Sequence, residues 1–142
     1  MSAEKNKQLV RSYLDRVVSR GDQTAMSELV SETLVFTSPY TPQPVQGRHG
    51  FVQMIAGLRA SFPDLKIVEH DTVGEGDLVA ARWTASGTHT GAPFAGRSAT
   101  GNRFEISGMS FYRVRDGHIV EGWVCDDTLG MLTQLGVVPQ PA

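Results

Sequence analysis

The stretch Asn102–Cys125, NRFEISGMSFYRVRDGHIVEGWVC, decides the fold. Apolar side chains alternate with polar ones on both sides of Asp116-Gly117, a dipeptide that tolerates the positive φ angles of a tight hairpin. Two long antiparallel strands, Asn102–Arg115 and His118–Cys125, are therefore expected. Further towards the N-terminus, Leu65–Val73 and Leu78–His89 repeat the strand pattern around the turn Gly74-Glu75-Gly76-Asp77. Thr90–Gly101, which holds glycine and proline, is a longer connection between strands.

The first third of the chain has a different period. Val10, Leu14, Val17 and Val18 recur at helical spacing within Glu4–Ser19. Gly21 stops that helix, and Asp22 caps a second one that buries Met26, Leu29 and Val30. Thr33–Thr37 reads as a short strand, and Ser38–Gly47, with three prolines, as a loop. Phe51, Met54, Ile55, Leu58 and Phe62 share one face of a third helix that Pro63 ends. A last short helix carries Leu129, Leu132 and Leu135, with Asp126 or Asp127 as its cap and Gly136 as its stop. Helices segregated from a meander of strands indicate an α+β fold, one domain over residues 1–142 with three N-terminal helices ahead of the strands; that the helices cover a curved sheet enclosing one small-molecule pocket is the expectation that the resemblance below supports.

Composition narrows the function. The net charge of −2 and a pI near 6.0 give no electrostatic footprint for nucleic acid or an anionic membrane. The polar start Ser2-Ala3-Glu4-Lys5-Asn6-Lys7 is followed by no apolar run long enough for a signal peptide or a membrane span. Cys125, the lone cysteine, has no internal disulfide partner. A soluble, cytoplasmic protein is the expectation. His49, His70, His89 and His118 show no close ligand spacing with acids or Cys125, so no metal is expected. Gly96–Gly101 links two strands and opens no helix, which argues against a phosphate cradle, and no cofactor is implied.

Several runs resemble the SnoaL-like polyketide cyclase family: Gly87-Thr88-His89-Thr90-Gly91, Ala99-Thr100-Gly101-Asn102, the segment Arg115–Trp123, the ending Asp127–Gly136, and the junction Phe62-Pro63-Asp64-Leu65. The resemblance implies the cone-shaped fold of the nuclear transport factor two-like superfamily, usually a homodimer packed sheet to sheet. Its members include aldol cyclases, ring hydroxylation proteins, epoxide hydrolases, ketosteroid isomerases, dehydratases and non-catalytic binders. It also implies where a catalytic carboxylate belongs. SnoaL-like cyclases carry it just after the tryptophan of the last strand, and there Trp123 is followed by Val124. Ketosteroid isomerases carry theirs at the end of the first strand, where Ser38 precedes Pro39, flanked by Thr37 and Tyr40. Both addresses lack an acid.

Strand alternation then supplies the inferred lining. Val120, Gly122, Val124 and Asp126 share one face of the last strand. Phe104, Ile106, Gly108, Ser110 and Tyr112 share one face of the strand before it. The family register makes these the inward sets, joined by Val18 and Met54 from the helices and by Ser38. Asp126 reads either as an inward acid displaced from position 124 or as a helix cap; Asp127 matches the family's helix-start aspartate. Arg82 reads as an oxyanion ligand, a snorkelling surface residue or a salt-bridge partner, and Tyr40 as a pocket closure or a packed loop aromatic. His70, alternating with Val68 and Thr72, is a proton carrier or a structural histidine; His89 is structural. Glu105, Ser107, Met109 and Phe111 face outward. Met109, Phe111, Trp123 and Trp83 form an apolar outer surface suited to a homodimer interface.

The expected function is ring closure on a polyketide-like, mostly apolar small molecule. Such a site folds the substrate by shape, while Ser110, Tyr112, Tyr40, Arg82 and Asp126 orient or polarise its oxygens. The alternatives are a non-catalytic hydrophobic-ligand binder and an epoxide hydrolase or isomerase that uses a relocated acid or base.

Overall fold

The computed structural model describes residues 2–139. Helix α1 (Ala3–Ser12) runs into a π-helical segment (Tyr13–Ser19), then α2 (Gln23–Leu29), β1 (Val30–Thr37), β2 (Val45–Gln46) and α3 (Arg48–Ser61). Four strands follow, β3 (Lys66–Glu75), β4 (Leu78–Thr88), β5 (Arg103–Arg115) and β6 (His118–Asp126), and α4 (Thr128–Gln134) ends the order. All six strands belong to one sheet, in the order β2-β1-β6-β5-β4-β3, with β1 parallel to β6 and every other neighbouring pair antiparallel. The fold is α+β, with α1 and the π segment laid against β3 and β4, α3 against β1, and α4 against β5.

Local chemistry sets the boundaries. The Asp22 carboxylate accepts from the Ala25 N–H at 3.1 Å and starts α2, because the first turn of a helix has N–H groups without intrahelical partners. Asp116 and Gly117 take φ values of 50° and 76°, the left-handed pair that turns β5 into β6. On β5 the expected alternation holds: Phe104, Ile106, Gly108, Ser110 and Tyr112 are buried, whereas Glu105, Ser107, Met109 and Phe111 are exposed.

Bulges and one misjudged face account for the differences. On β4 the buried set is Val79, Ala81, Trp83, Ala85 and Gly87, so Trp83 points inward and Arg82 outward, the reverse of the expectation. An inward Trp83 is absent from the outer apolar surface. On β3 the pairing jumps from Glu69–Trp83 to Asp71–Arg82, leaving His70 as the extra residue. The bulge exposes His70 and buries Thr72, which strict alternation had put together. On β6 a similar slip leaves Val120 unpaired and buries Ile119 in its place. The proline-rich loop also contributes β2, whose two residues pair with Val35 and Phe36.

Trp83 holds the middle of this sheet. Its indole lies over Gly108, where an added Cβ would meet the ring at 2.2 Å, and its Nε1–H donates to Ser110 Oγ at 2.9 Å. Gly108→Ala must therefore displace the ring. We expect a loss of about 1–3 kcal/mol in urea-induced unfolding, the usual cost of overpacking, together with an altered near-UV circular dichroism spectrum.

Candidate active site

The concave face of the sheet and the helices above it enclose a cavity in which water-sized spheres can be centred over about 80 Å³. That corresponds to roughly five to eight water positions. Nineteen residues line it, and one of them, Asp126, carries a charge. Leu14 and Val18 come from the π segment, Met54, Ile55 and Leu58 from α3, Phe104 from β5 and Val124 from β6. The remaining wall is also mainly apolar, with Phe36, Phe62, Trp83 and Met131 among its larger members.

Polar groups meet the cavity in two places. At the first, the Tyr40 hydroxyl donates to Asp126 Oδ2 at 2.6 Å and the Thr128 hydroxyl donates to Asp126 Oδ1 at 2.5 Å. Ser38 serves this pair indirectly. Its Oγ accepts from the Tyr40 N–H at 3.2 Å and so fixes the turn that aims the phenol. The helix cap is Asp127, whose Oδ1 accepts from the Gly130 N–H at 2.9 Å. Asp126 is thereby free of capping and turned towards the cavity. Burial and the neighbouring Asp126 charge push the Tyr40 phenol well above its usual pKa, so it remains a donor.

At the second place Tyr13 and Tyr112 meet edge to face, with ring centroids 5.3 Å apart and both side chains buried. Burial pushes the Tyr112 phenol up to about 12, while the Ser110 and Tyr13 hydroxyls pull the other way by stabilising its charged form. The Tyr13 phenol is raised further, by burial first and by Tyr112 second. The Trp83–Ser110 hydrogen bond and the Tyr13–Tyr112 ring pair are buried in the same interior. Asp126 pairs with Gly108 across the β5–β6 ladder and Tyr112 with Gly122. The two polar places are therefore four residues apart along the sheet, roughly 13 Å at ~3.3 Å per strand residue.

Most of the expected site residues converge here. Asp126, Tyr112, Tyr40, Val18, Ser38, Met54, Phe104 and Val124 all line the cavity. Ser110 is buried behind Trp83, and Ile106 and Gly108 lie on the same inward face without reaching the cavity wall. Arg82 is the correction: it is 2.6 Å from Asp71 on the outer face and reaches no cavity atom. His70 is exposed and hydrogen-bonded to Thr84 at 2.7 Å, and buried His89 contacts the Ala92 carbonyl at 2.9 Å. Among the described residues no three His, Cys, Asp or Glu side chains come together as a metal site, and no helix is long and apolar enough to cross a membrane.

Among the lining residues that alternation and periodicity had not placed there, with Phe36, Leu65, Ile67, Ala85 and Met131 as others, Tyr13 and Trp83 carry polar groups. Both had a signal. Val10, Tyr13, Leu14 and Val17 form an i, i+3, i+4, i+7 stripe, and Val79, Ala81, Trp83, Ala85 and Gly87 are the uniformly apolar half of β4.

Tyr13, Tyr40 and Tyr112 are the only tyrosines in the chain, and all three are shifted upward. A phenol with a raised folded pKa stabilises the native state fully below the unfolded value near 10, and that contribution is lost as pH rises towards the folded value. Folding stability should therefore fall above pH ~10. In a spectrophotometric titration the near-UV phenolate band should stay silent until the protein unfolds, then appear in one cooperative step. A tyrosine titrating at its ordinary pKa in the folded protein would contradict this geometry.

Comparison with known proteins agrees with this architecture. The SnoaL-like polyketide cyclase family matches residues 8–135. The chain is similar to IdmH from Streptomyces antibioticus, a candidate polyketide cyclase, at 33% identity and a TM-score of 0.80, covering 92% of this chain and 98% of that one. It is also similar to AclR from Streptomyces galilaeus, a candidate hydroxylase, at 27% identity and a TM-score of 0.85, covering 99% and 87%. TsrD from Streptomyces laurentii gives 27% identity and a TM-score of 0.84, covering 97% and 99%. Curated proteins give no match. A family match over nearly the whole chain, together with a helix-covered curved sheet, means that the protein belongs to the SnoaL-like polyketide cyclase family.

Proposed function

We propose that this protein closes a ring on an elongated, mostly apolar polyketide-like substrate. The observation that carries the reading is the placement of two polar stations at separate positions on one apolar cavity. Asp126 and Tyr112 stand on rows four residues apart along the sheet, so we assign them to two different substrate oxygens. At one station Asp126, held by Tyr40 and Thr128, takes up or returns a proton. At the other, Tyr112 donates its O–H to a carbonyl oxygen, its own oxygen being supported by Ser110 and Tyr13. The apolar wall between them holds the chain in a folded conformation that brings the reacting carbons together.

A second reading is favoured by Val124, which stands where family cyclases carry their acid: a binder that shields a hydrophobic metabolite without turning it over. Linear polyketide mimics, supplied as N-acetylcysteamine thioesters, separate the two. Cyclised product is expected from the wild type. Asp126→Asn should lower kcat/KM by roughly 10²–10⁴-fold and Tyr112→Phe by roughly 10²–10³-fold, with melting temperatures close to wild type. Unchanged turnover in both variants would remove the assigned chemistry, and saturable binding without any product would assign the binder.

A homodimer packed through the outer sheet face belongs to the same proposal. Met109, Phe111 and Trp123 are 64%, 51% and 37% exposed, and Phe111 and Trp123 sit directly opposite each other on β5 and β6. Exposed apolar area of this kind on neighbouring strands is what association covers. Sedimentation should give a dimer for the wild type and a monomer for Phe111→Asp; a monomeric wild type would refute it.

A further inference from the structure

We infer that the cavity is the inner half of a two-part binding site, and that an open groove outside α3 takes the distal, uncharged chain of the same ligand. The inference rests on the proposed use of the cavity as a ligand site. The groove runs between α3, the segment around Phe94 and the start of α4, and offers about 450 Å³ against about 80 Å³ inside. Tyr40, Met54 and Leu58 line both spaces, so only side chains separate them.

Volume argues for an outer part to the site. Room for roughly five to eight waters accepts a small ring system but not that ring together with a polyketide-length chain. A part that does not fit inside leaves past Met54 and Leu58, where the unbranched Met54 can give way. The chemistry of the groove selects the occupant. Its twelve lining residues include no charged side chain, although a fifth of the sequence is charged. An uncharged apolar tail fits that surface, whereas a phosphate or carboxylate would lose its water with no cation to receive it. The groove is also built to stay open. Gly57 leaves a gap on α3, with no atom within 4 Å of an added Cβ, and Ser61 Oγ holds the opposite wall by donating to the Pro93 carbonyl at 3.1 Å.

Two phenols differing only in tail length test this. 4-Ethylphenol fits the cavity alone, and 4-heptylphenol must extend beyond it. Titration calorimetry on the wild type should show 4-heptylphenol binding at least ~50-fold tighter, since each further buried methylene is worth up to about fourfold. Gly57→Trp fills the groove at a position with free space, and replacing a mid-helix glycine leaves α3 at least as stable. It should cut the ratio of the two affinities to below ~5. Gln53→Trp, one turn earlier on the same groove wall, is the second variant and should do the same. If 4-ethylphenol binds but the ratio is near one in the wild type, or is unchanged in both tryptophan variants, the groove has no such role and the cavity reading stands. If neither phenol binds, the cavity reading fails and the groove falls with it.

Discussion

Everything in this site depends on the Trp83 indole lying over Gly108. Gly108 is the one residue on the inward face of β5 whose missing side chain admits a bicyclic ring, and Ser110, two residues on, accepts the indole N–H. The contact locks β4 to β5 in one register, because a shift by one residue would turn Trp83 to solvent and bring Arg82 inside. It also removes from the cavity the hydroxyl of Ser110, which instead supports Tyr112. A single large-to-none pairing thus sets the register of the sheet, the depth of the cavity and the electrostatics of one of its two polar ends.

The other end depends on a division of labour between adjacent aspartates. A helix start needs one acceptor for its free N–H groups, and Asp127 provides it. Asp126, with that task removed, is left at the end of β6 with two hydroxyl donors. A carboxylate that accepts two hydrogen bonds is oriented as well as stabilised, and the Tyr40 phenol that orients it is itself kept protonated by burial and by the charge it faces. With Val124 on the same wall, the cavity therefore still holds an acid. Asp126, two residues further on along the same strand, is the acid that lines the cavity.

Much of this was legible in the sequence, for physical reasons that can be named. The Asp116-Gly117 turn and the period-two pattern of β5 are local signals, and burial on β5 follows them residue by residue. Val18, Met54, Phe104, Val124, Tyr40, Tyr112 and Asp126 reach the cavity as the face assignment required. What alternation could not carry was a change of period. The bulges at His70 and Val120 each add one residue to one strand of a pair, and strict counting past them assigns the wrong face. Arg82 fails differently. The polar half of β4, with Thr84 and Ser86 beside it, already marked the outer side, and Arg82 belongs to that half. Tyr13 sits where a helix opens into π geometry, a wider turn that brings a ring on the buried stripe against Tyr112.

For the proposed ring closure, the relative sizes of the available effects rank what this cavity contributes. A positioned acid or base contributes about 10²–10⁴-fold, or roughly 3–5 kcal/mol. Holding two ends of one flexible molecule in reacting geometry contributes about 7–11 kcal/mol. With one charged residue among nineteen, the lining is built for the second effect. Shape also constrains the substrate more than charge does. The wall rejects anything that must stay hydrated, admits chains that gain by leaving water, and leaves only two positions at which oxygen atoms find partners. In the proposed reading, the apolar wall between those two positions, more than the charge at one of them, sets how the ligand lies.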